Sequence, residues 1–487
     1  MSELELDSVA LREMVREVLD RLGPFLDRQQ AGPMTTPVGG KKAARDLRRG
    51  WPESGTPFRS LLPLLDRALA TSLDPTSPGY LAYVPGGGLP HAAVADLYAD
   101  LVNRFTGLWM PAPGFVTLEV DVIRWFCAMV GYGDDAGGVL TSGGSLANLA
   151  GIVAARARTF PDGGFGAARV YRSHQAHHSV DKALSVAGFS RASRVDVPTD
   201  GSHRMDPRAL DRAIRADRDA GNTPLVVVAN AGSTAVGAVD DLSAAADVCA
   251  EHQVWLHVDA AYGGFFALTE RGRAALRGLD RADSIALDPH KGLFLPYGTG
   301  CVLARRRADL RAAHAVEASY LPTPDDDPLA WDFADLGPEL SRPFRGLRAW
   351  LPLMMHGFSA FRAALDEKLD LARTAAEAIR ELPNVRMVSE PTLSLFAFSC
   401  EPPGLDLDAI SRLNHRWLAA VNARRRVFLS GVTQDGRFVL RVCILSFRTH
   451  ADRAEWLIED LRATLSSVVG SAESLEPAPL DASDPTP

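Results

Sequence analysis

Three features of the sequence predict an α/β fold built on a mostly parallel sheet. Short apolar runs alternate with helix-period stretches over residues 137–313, the rhythm of successive βαβ units with helices on both faces. One run, residues 225–228, holds only Leu and Val, as a strand buried on both faces requires. Two more, 254–258 and 284–287, lead into polar residues, Asp259 in the first case and His290-Lys291 in the second. Reactive groups in parallel sheets collect beyond the carboxyl ends of the strands, so these two ends mark the candidate site.

The 487 residues are 46% hydrophobic and 23% charged, ordinary values for a chain with a large core and two or three domains. A formal charge of −8 argues against a nucleic-acid or anionic-membrane surface, which would select for basic patches. The small cluster Lys41, Lys42, Arg45, Arg48 and Arg49 reads as a solvated face. Five cysteines stand singly without metal spacing, so neither a disulfide framework nor a metal site is expected, and a reducing, cytoplasmic setting fits. Glu3, Glu5 and Asp7 stand where a signal peptide would be basic, and no apolar run reaches membrane-spanning length.

In chain order, residues 8–28 place Leu11, Val15, Val18 and Leu22 on one helix face, with Gly23-Pro24 ending the pattern. That face has no obvious partner within the chain. Residues 31–57 are rich in Gly, Pro and charge and read as an extended connection; helical pattern returns at 60–70. Gly86 to Gly88 permit a tight backbone path. Residues 96–131 are helical at both ends around an interruption at 109–114, where two prolines forbid continuous helix. The stretch GGVLTSGGSLANLAGIVAARAR reads as strand, glycine turn and long helix. Strands at 168–173 and 193–197 then alternate with helices at 179–187 and after Asp206-Pro207, a cap and first-turn pair. A helix at 241–253 leads into the Asp259 strand, and a strand at 301–304 and a helix at 309–313 follow Lys291.

Residues 318–343 are dense in Pro and Asp, a loop long enough to be functional. Residues 346–382 are helical and lead into a smaller α+β domain with strands at 385–388, 393–398, 427–430 and 438–445; the tail from 473 is expected to be disordered. The expected division is an N-terminal helical and extended segment, 1–75, a large domain, 76–355, a small one, 356–468, and a tail, 469–487.

An aspartate after one strand and a lysine after the next are the two polar anchors that pyridoxal phosphate (PLP) requires, a carboxylate for its ring nitrogen and an amine for its aldehyde. Desolvation beside a buried strand is expected to make the Lys291 amine easier to deprotonate. Taken singly, each residue also fits a bland role, a lysine lying along the surface or an aspartate capping a turn. The turn at Ser142-Gly143-Gly144-Ser145 opens a helix and suits one phosphate, though it equally fits a glycine turn with a serine cap; it lacks the lysine of a nucleotide-binding loop.

HVDAAYGG at 257–264, DPHKG at 288–292, TSGGSLAN, and SVDKA after QAHH together resemble the group II PLP-dependent decarboxylases, most closely the aromatic L-amino acid decarboxylase branch, over roughly residues 77–461. The resemblance implies a fold-type I PLP enzyme acting as a homodimer, with residues 1–75 in dimerisation and active sites at the interface. By position it makes Lys291 the lysine bonded to the cofactor, Asp259 the partner of the ring nitrogen and His177 the histidine stacked on the ring. Gly144 and Ser145 match the phosphate cradle, and Thr234, Ala261 and His290 match further cofactor contacts. Tyr320 matches the tyrosine of a mobile catalytic loop. The chain departs from the family's pattern at Gly292, where Trp is usual, at Asp288, where many members have Asn, and at Leu146, where Glu is usual. A carboxylate near a phosphate is unfavourable unless something neutralises it.

The implied reaction is decarboxylation of an L-amino acid to the amine and CO2, with Tyr320 reprotonating Cα and His177 as second choice. The resemblance also implies a side-chain pocket of Tyr83, Val84, Pro85 and, from a second copy, Phe105, apolar enough to disfavour a second carboxylate. Ser341 falls where related plant enzymes carry serine for phenolic and glycine for indolic substrates, so a tyrosine- or dopa-like substrate is expected. Gly107 and Gly292 are expected to leave extra room. Three alternatives stay open at this point: a PLP-dependent aldehyde synthase, a decarboxylase of a non-aromatic amino acid, and a non-catalytic assembly subunit of the same fold. In related enzymes the first accompanies loss of the loop tyrosine or a changed stacking histidine, and both residues are present here.

Overall fold

The computed structural model describes residues 4–29, 32–34, 38–316, 319, 327 and 329–470. Five helices precede the first strand: α1 (Ser8–Gln29), α2 (Gly40–Leu47), α3 (Phe58–Ala70), α4 (Pro90–Val102) and α5 (Pro113–Met129). The alternating section then runs β1 (Gly137–Thr141), α6 (Gly144–Thr159), β2 (Ala168–Ser173), α7 (His178–Val186), β3 (Arg194–Val197), α8 (Pro207–Asp219), β4 (Thr223–Asn230), α9 (Leu242–His252) and β5 (Trp255–Asp259). It continues with α10 (Glu270–Ala275), β6 (Ser284–Leu287), α11 (Pro289–Gly292), β7 (Gly300–Ala304) and α12 (Arg307–His314). The C-terminal part holds α13 (Arg345–Arg380), β8 (Val385–Ser389), β9 (Leu395–Cys400), α14 (Leu407–Ala423), β10 (Ser430–Gln434), β11 (Arg437–Cys443) and α15 (Ala451–Gly470).

Among the described residues the eleven strands divide into two sheets. The larger has seven strands in the order β1-β7-β6-β5-β4-β2-β3, parallel from β6 through β3, with β7 antiparallel to both its neighbours. Every residue of β1, β5, β6 and β7 is buried, which is why these strands are mostly apolar in the sequence, the buried polar exceptions being Thr141, His257, Asp259 and Ser284. The smaller sheet is antiparallel, β10-β11-β9-β8, and its core is closed by α13, α14 and α15 around Trp417, whose Nε1 donates to Thr464 Oγ1 at 3.1 Å. Tyr262, just past β5, joins the two parts: its hydroxyl accepts from the Ser394 amide at 2.9 Å. Within α13 the backbone breaks at Gly357, where φ is 65°. Among the described residues no helix is long and apolar enough to cross a membrane, and all five cysteines are free and buried.

Three local expectations are corrected. Helix α1 does not stop at Gly23-Pro24 but runs to Gln29. Pro24 is exposed, so the carbonyl it leaves without a donor can turn to water; ion pairs from Glu17 and Arg21 to Arg59 and Asp66 of α3 hold the helix before it, and a hydrogen bond from Gln29 to Thr76 anchors the helix beyond it. The connection at 31–57 is not extended throughout: α2 forms there, supported by Lys42–Asp46 one turn apart at 2.7 Å and by Arg67 on the same carboxylate. The strand expected at 427–430 begins only at Ser430. Phe428 pairs instead with the segment from Gly79 to Leu81, its amide donating to Gly79 O at 2.9 Å, and so ties the entry to the large domain onto the small one.

Helix α4 leaves Val94, Leu97, Tyr98 and Leu101 exposed at the spacing of one helix face, beside exposed Met354 and Met355 of α13. A stripe of that kind on a protein of this size marks an interaction surface.

Candidate active site

The carboxyl ends of β1, β2, β4, β5 and β6 open onto one cavity of about 350 Å³. Asp259 ends β5 and Asp288 follows β6, with His290 and Lys291 one turn on in α11; His177 caps α7; Ser142 to Ser145 lead into α6; Thr234 comes from the turn after β4. Lys291, Asp259, His177, Gly144, Ser145, Thr234, Ala261 and His290 all line it, so the eight residues assigned to the cofactor are brought together from segments up to 147 positions apart.

A buried chain of hydrogen bonds sets their orientation, and its directions are fixed by its ends. The Trp255 indole can only donate, and gives its N–H to Ser284 Oγ at 2.8 Å. The Ser284 hydroxyl therefore donates to His257 Nδ1 at 2.8 Å, and His257 Nε2–H donates to Asn148 Oδ1 at 2.9 Å. Both N–H groups of Asn148 are then committed, one to Asp259 Oδ2 at 2.9 Å and one to Ser179 Oγ at 3.1 Å. A flipped Asn148 would set its oxygen against the Asp259 carboxylate, so the amide has one orientation. Ser179 passes the direction on: its hydroxyl and its backbone N–H both meet His177 Nδ1, at 2.8 and 3.3 Å. Nδ1 is thus an acceptor, and the neutral His177 ring carries its proton on Nε2. Burial holds His177 below the ordinary histidine range, partly offset by Asp259, and pushes His257 down to about 4, so both rings are neutral at pH 7. Gly151 makes room for this chain, since a Cβ there would stand 2.6 Å from the His257 ring.

The charge on Lys291 differs from expectation. Burial does disfavour its ammonium, but Asp288 Oδ2 lies 2.8 Å from Nζ, and with Asp259 adding to it the amine is held above the ordinary lysine range. Opposite charges near 3 Å attract by roughly 5 kcal/mol at an effective dielectric of about 20, which decides the sign. Asp288, noted in the sequence only as a departure, is the residue responsible.

The residues assigned to the substrate side chain are not part of this cavity. Tyr83, Val84 and Pro85 run beside it: Arg441 donates to the carbonyls of both Tyr83 and Thr234, and the Gly87 amide donates to His290 O at 3.2 Å. Phe105 and Ser341 are exposed; Phe105 lies just beyond the end of α4, and its ring and the Leu340 carbonyl both press on Gly107. Gly107 and Gly292 do not provide room. A Cβ on Gly292 would meet Phe265 at 2.6 Å, and one on Gly107 would meet Leu340 O at 2.6 Å, so neighbouring groups already fill both spaces. Tyr320 and the tail from 471 lie outside the described residues. Sequence reasoning missed Asn148, Ser179, His257 and Arg441. An arginine within the apolar run FVLRVCIL was a readable signal for the last; the others lay inside motifs already quoted, without a reason to single them out.

The site fits PLP. The opening turn of α6 offers amides without intrahelical acceptors, and the absence of a side chain at Gly144 is required, because a Cβ there would stand 3.0 Å from both Ala261 Cβ and Asp288 Oδ2. An amine, a carboxylate and an N–H-bearing imidazole complete the donor set. Replacing Asn148 with Leu removes every link between His257, Asp259 and Ser179 at nearly constant volume. We expect the cofactor-free protein to lose about 2 kcal/mol of stability and cofactor affinity to fall about tenfold, since buried partners left unmade cost about 1–3 kcal/mol each; urea unfolding and a fluorescence titration with PLP check both.

Comparison with known proteins agrees with this chemistry. Residues 42–401 match the family described as pyridoxal-dependent decarboxylase conserved domain. The chain is 33% identical over 472 residues to an aromatic-L-amino-acid decarboxylase of Bacillus atrophaeus, covering 96% of this chain and 98% of the relative. It is 27% identical to a tryptophan decarboxylase of Camptotheca acuminata, over 93% and 94% of the two chains. Among solved structures, Oryza sativa TDC with PLP and tryptamine superposes with a TM-score of 0.89 at 25% identity, covering 96% of this chain and 99% of the other. A cavity built around a lysine, a carboxylate and a phosphate-sized turn, in a chain matched along most of its length, is accounted for in one way: the chain belongs to the pyridoxal-dependent decarboxylase family, as a fold-type I carboxy-lyase that uses PLP to decarboxylate an amino acid.

Proposed function

We propose that the substrate is an aromatic L-amino acid, phenolic rather than indolic, converted to its amine by a homodimer in a reducing, cytoplasmic setting. The observation that carries the substrate class is the charge inventory: none of Tyr83, Val84, Pro85, Phe105 and Ser341, the residues assigned to the substrate side chain, is a cation, and among the described residues lining the neighbouring cavity Lys291 is the one lysine and there is no arginine. A glutamate or aspartate side chain would need a second cation there, and would be expensive to desolvate without it. The similarity to an aromatic-L-amino-acid decarboxylase and a tryptophan decarboxylase supports the same class.

Bound PLP supplies an electron-poor ring that accepts the electron pair released when the bond from Cα to the carboxylate breaks. The chain's residues decide the rest. Lys291 provides the point of covalent attachment and is released from Asp288 to do so. Asp259, fixed by Asn148, keeps an acceptor for the ring nitrogen's proton. His177 presents Nε2–H as a fixed donor. With Nδ1 already accepting from Ser179, the neutral ring has no second proton to give, so it holds a proton rather than transferring one. The proton for Cα is therefore assigned to Tyr320, on the strength of its motif.

The homodimer is supported by the exposed apolar stripe of α4 and by Phe105 and Ser341 being exposed and outside the cavity of their own chain. A second copy seated there would bring an aromatic ring and a hydroxyl to a pocket that one chain leaves open. The five free, buried cysteines are in keeping with a reducing compartment.

Three measurements test this reading. A panel of Tyr, dopa, Phe, Trp, Glu and Asp, scored for CO2, amine, aldehyde and peroxide, should rank Tyr or dopa first by kcat/KM. Ser341→Gly should shift the Tyr/Trp ratio toward Trp by about fivefold, the worth of one hydrogen bond of about 1 kcal/mol. A preference for Glu or Asp discards the aromatic pocket, and an unmoved ratio discards the role of Ser341. Tyr320→Phe should lose amine formation at least about a hundredfold, the usual contribution of a positioned acid, with aldehyde and peroxide rising in its place; an undiminished amine yield names another acid. In sedimentation the active species should have twice the chain's mass, and Leu97→Asp with Tyr98→Asp should give inactive monomer; a fully active monomer refutes the assembly.

A further inference from the structure

Asp288 is the one carboxylate at the phosphate turn, and its surroundings give it a single counter-ion. It is 2% exposed; Oδ2 pairs with Lys291 Nζ at 2.8 Å, while Oδ1 is buried without a hydrogen-bond partner. It lies directly under the opening turn of α6, since a Cβ on Gly144 would stand 3.0 Å from Oδ2 and one on Gly143 4.0 Å from Oδ1. From α11, besides Lys291, it faces His290, whose Nε2 is 3.6 Å from Oδ2; from β5 and α7 the charged or titratable groups across the cavity are Asp259 and His177. His290 Nδ1 donates to Thr299 O at 2.7 Å, so its neutral ring turns a bare Nε2 lone pair toward Asp288. Burial keeps that ring below the ordinary histidine range, against the pull of Asp288. In the cofactor-free enzyme Asp288 and Lys291 therefore balance each other beside the neutral imidazole of His290, while Asp259, across the cavity, is held by Asn148.

Cofactor binding upsets this balance, given Lys291 as the attachment residue proposed above. Condensation of the cofactor aldehyde with Lys291 would expel the aldehyde oxygen as water with two of the ammonium's three protons, and the nitrogen, keeping one proton and now bonded to the cofactor, would no longer offer Asp288 a free ammonium. A phosphate dianion meanwhile enters the turn beside the same carboxylate. Like charges about 4 Å apart repel by roughly 4 kcal/mol at an effective dielectric of about 20. We propose that the Asp288–His290 pair takes up one proton from solvent as the cofactor binds, so that Asp288 changes from counter-ion of Lys291 to hydrogen-bond donor at the phosphate turn. The proton sits between Oδ2 and Nε2 or on the partnerless Oδ1, and both places turn a repulsive contact into an attractive one.

The sign follows from linkage. Wherever the loaded enzyme binds one proton more than the empty one, affinity rises as pH falls, tenfold per unit, between the pKa values of the pair in the two states. Asp288→Asn is near-isosteric and already has an N–H to offer, so it should bind PLP without that proton. We expect the ratio of wild-type to Asp288→Asn dissociation constants, from fluorescence titration of the cofactor-free proteins, to grow at least about fivefold between about pH 6.5 and pH 8.5. Calorimetry in two buffers of different ionisation heat should count about one more proton taken up by wild type than by the variant. Parallel pH profiles, or equal proton counts, overturn the proposal. Asp288→Ser provides the same comparison should the amide variant not fold, which circular dichroism of the cofactor-free protein reports. Borohydride reduction and peptide mass separate the two assignments: label absent from Lys291 refutes the attachment residue, whereas parallel profiles with Lys291 labelled refute only the role of Asp288.

Discussion

One buried amide, Asn148, holds the catalytic centre in register. It sits one turn into the helix whose first amides form the phosphate turn, so the same rigid element carries both the anion cradle and the donor that orients Asp259. Its oxygen is occupied by His257 and its two N–H groups by Asp259 and Ser179, which leaves no freedom to flip. Buried polar networks are stabilising only when every member is satisfied. Here the donor-only indole of Trp255 at one end and the acceptor-only carboxylate at the other commit every hydroxyl and imidazole between them to one direction. The tautomer of His177, and with it the function open to that ring, is a consequence of this commitment.

The lysine illustrates a competition that burial alone misjudges. A buried strand end should depress an amine's pKa, and a single carboxylate three residues earlier on the same helical turn reverses the outcome. The glycines teach a related lesson. Gly144 is needed because Ala261 and Asp288 press on it, while Gly107 and Gly292, which look like spare volume, are already occupied by Leu340 and Phe265. A missing side chain is space only where no neighbour has moved in.

The polar and apolar halves of the site are solved differently. The polar half is complete within one chain, because strand ends of a single sheet converge on it. The aromatic ring of Phe105 and the hydroxyl of Ser341, assigned to the substrate side chain, are exposed and lie outside that cavity.

Much of this was legible in the sequence, for a physical reason. Parallel strands buried on both faces must be continuous apolar runs, and their ends must carry the chemistry, so residues 225–228, 254–258 and 284–287 announced the sheet and pointed to Asp259 and Lys291. Motif spacing brought His177, Thr234 and the turn at Gly144-Ser145 to the same place, and all of them line the cavity. Local signals misled where long-range contacts outweighed them: ion pairs to α3 before Gly23-Pro24 and a hydrogen bond from Gln29 to Thr76 after it hold α1 on either side, and the strand expected at 427–430 yields to pairing with a segment some 350 residues earlier. What only the tertiary structure decided is which polar groups meet. The path from Trp255 through His257 and Asn148 to His177 joins β5, β6, α6 and α7, and the sign of the shift at Lys291 depends on a side-chain distance of 2.8 Å. Periodicity reports which face of an element is buried; hydrogen-bond direction and charge pairing depend on separations of a few tenths of an ångström between segments far apart in the chain, and no pattern within one segment encodes them.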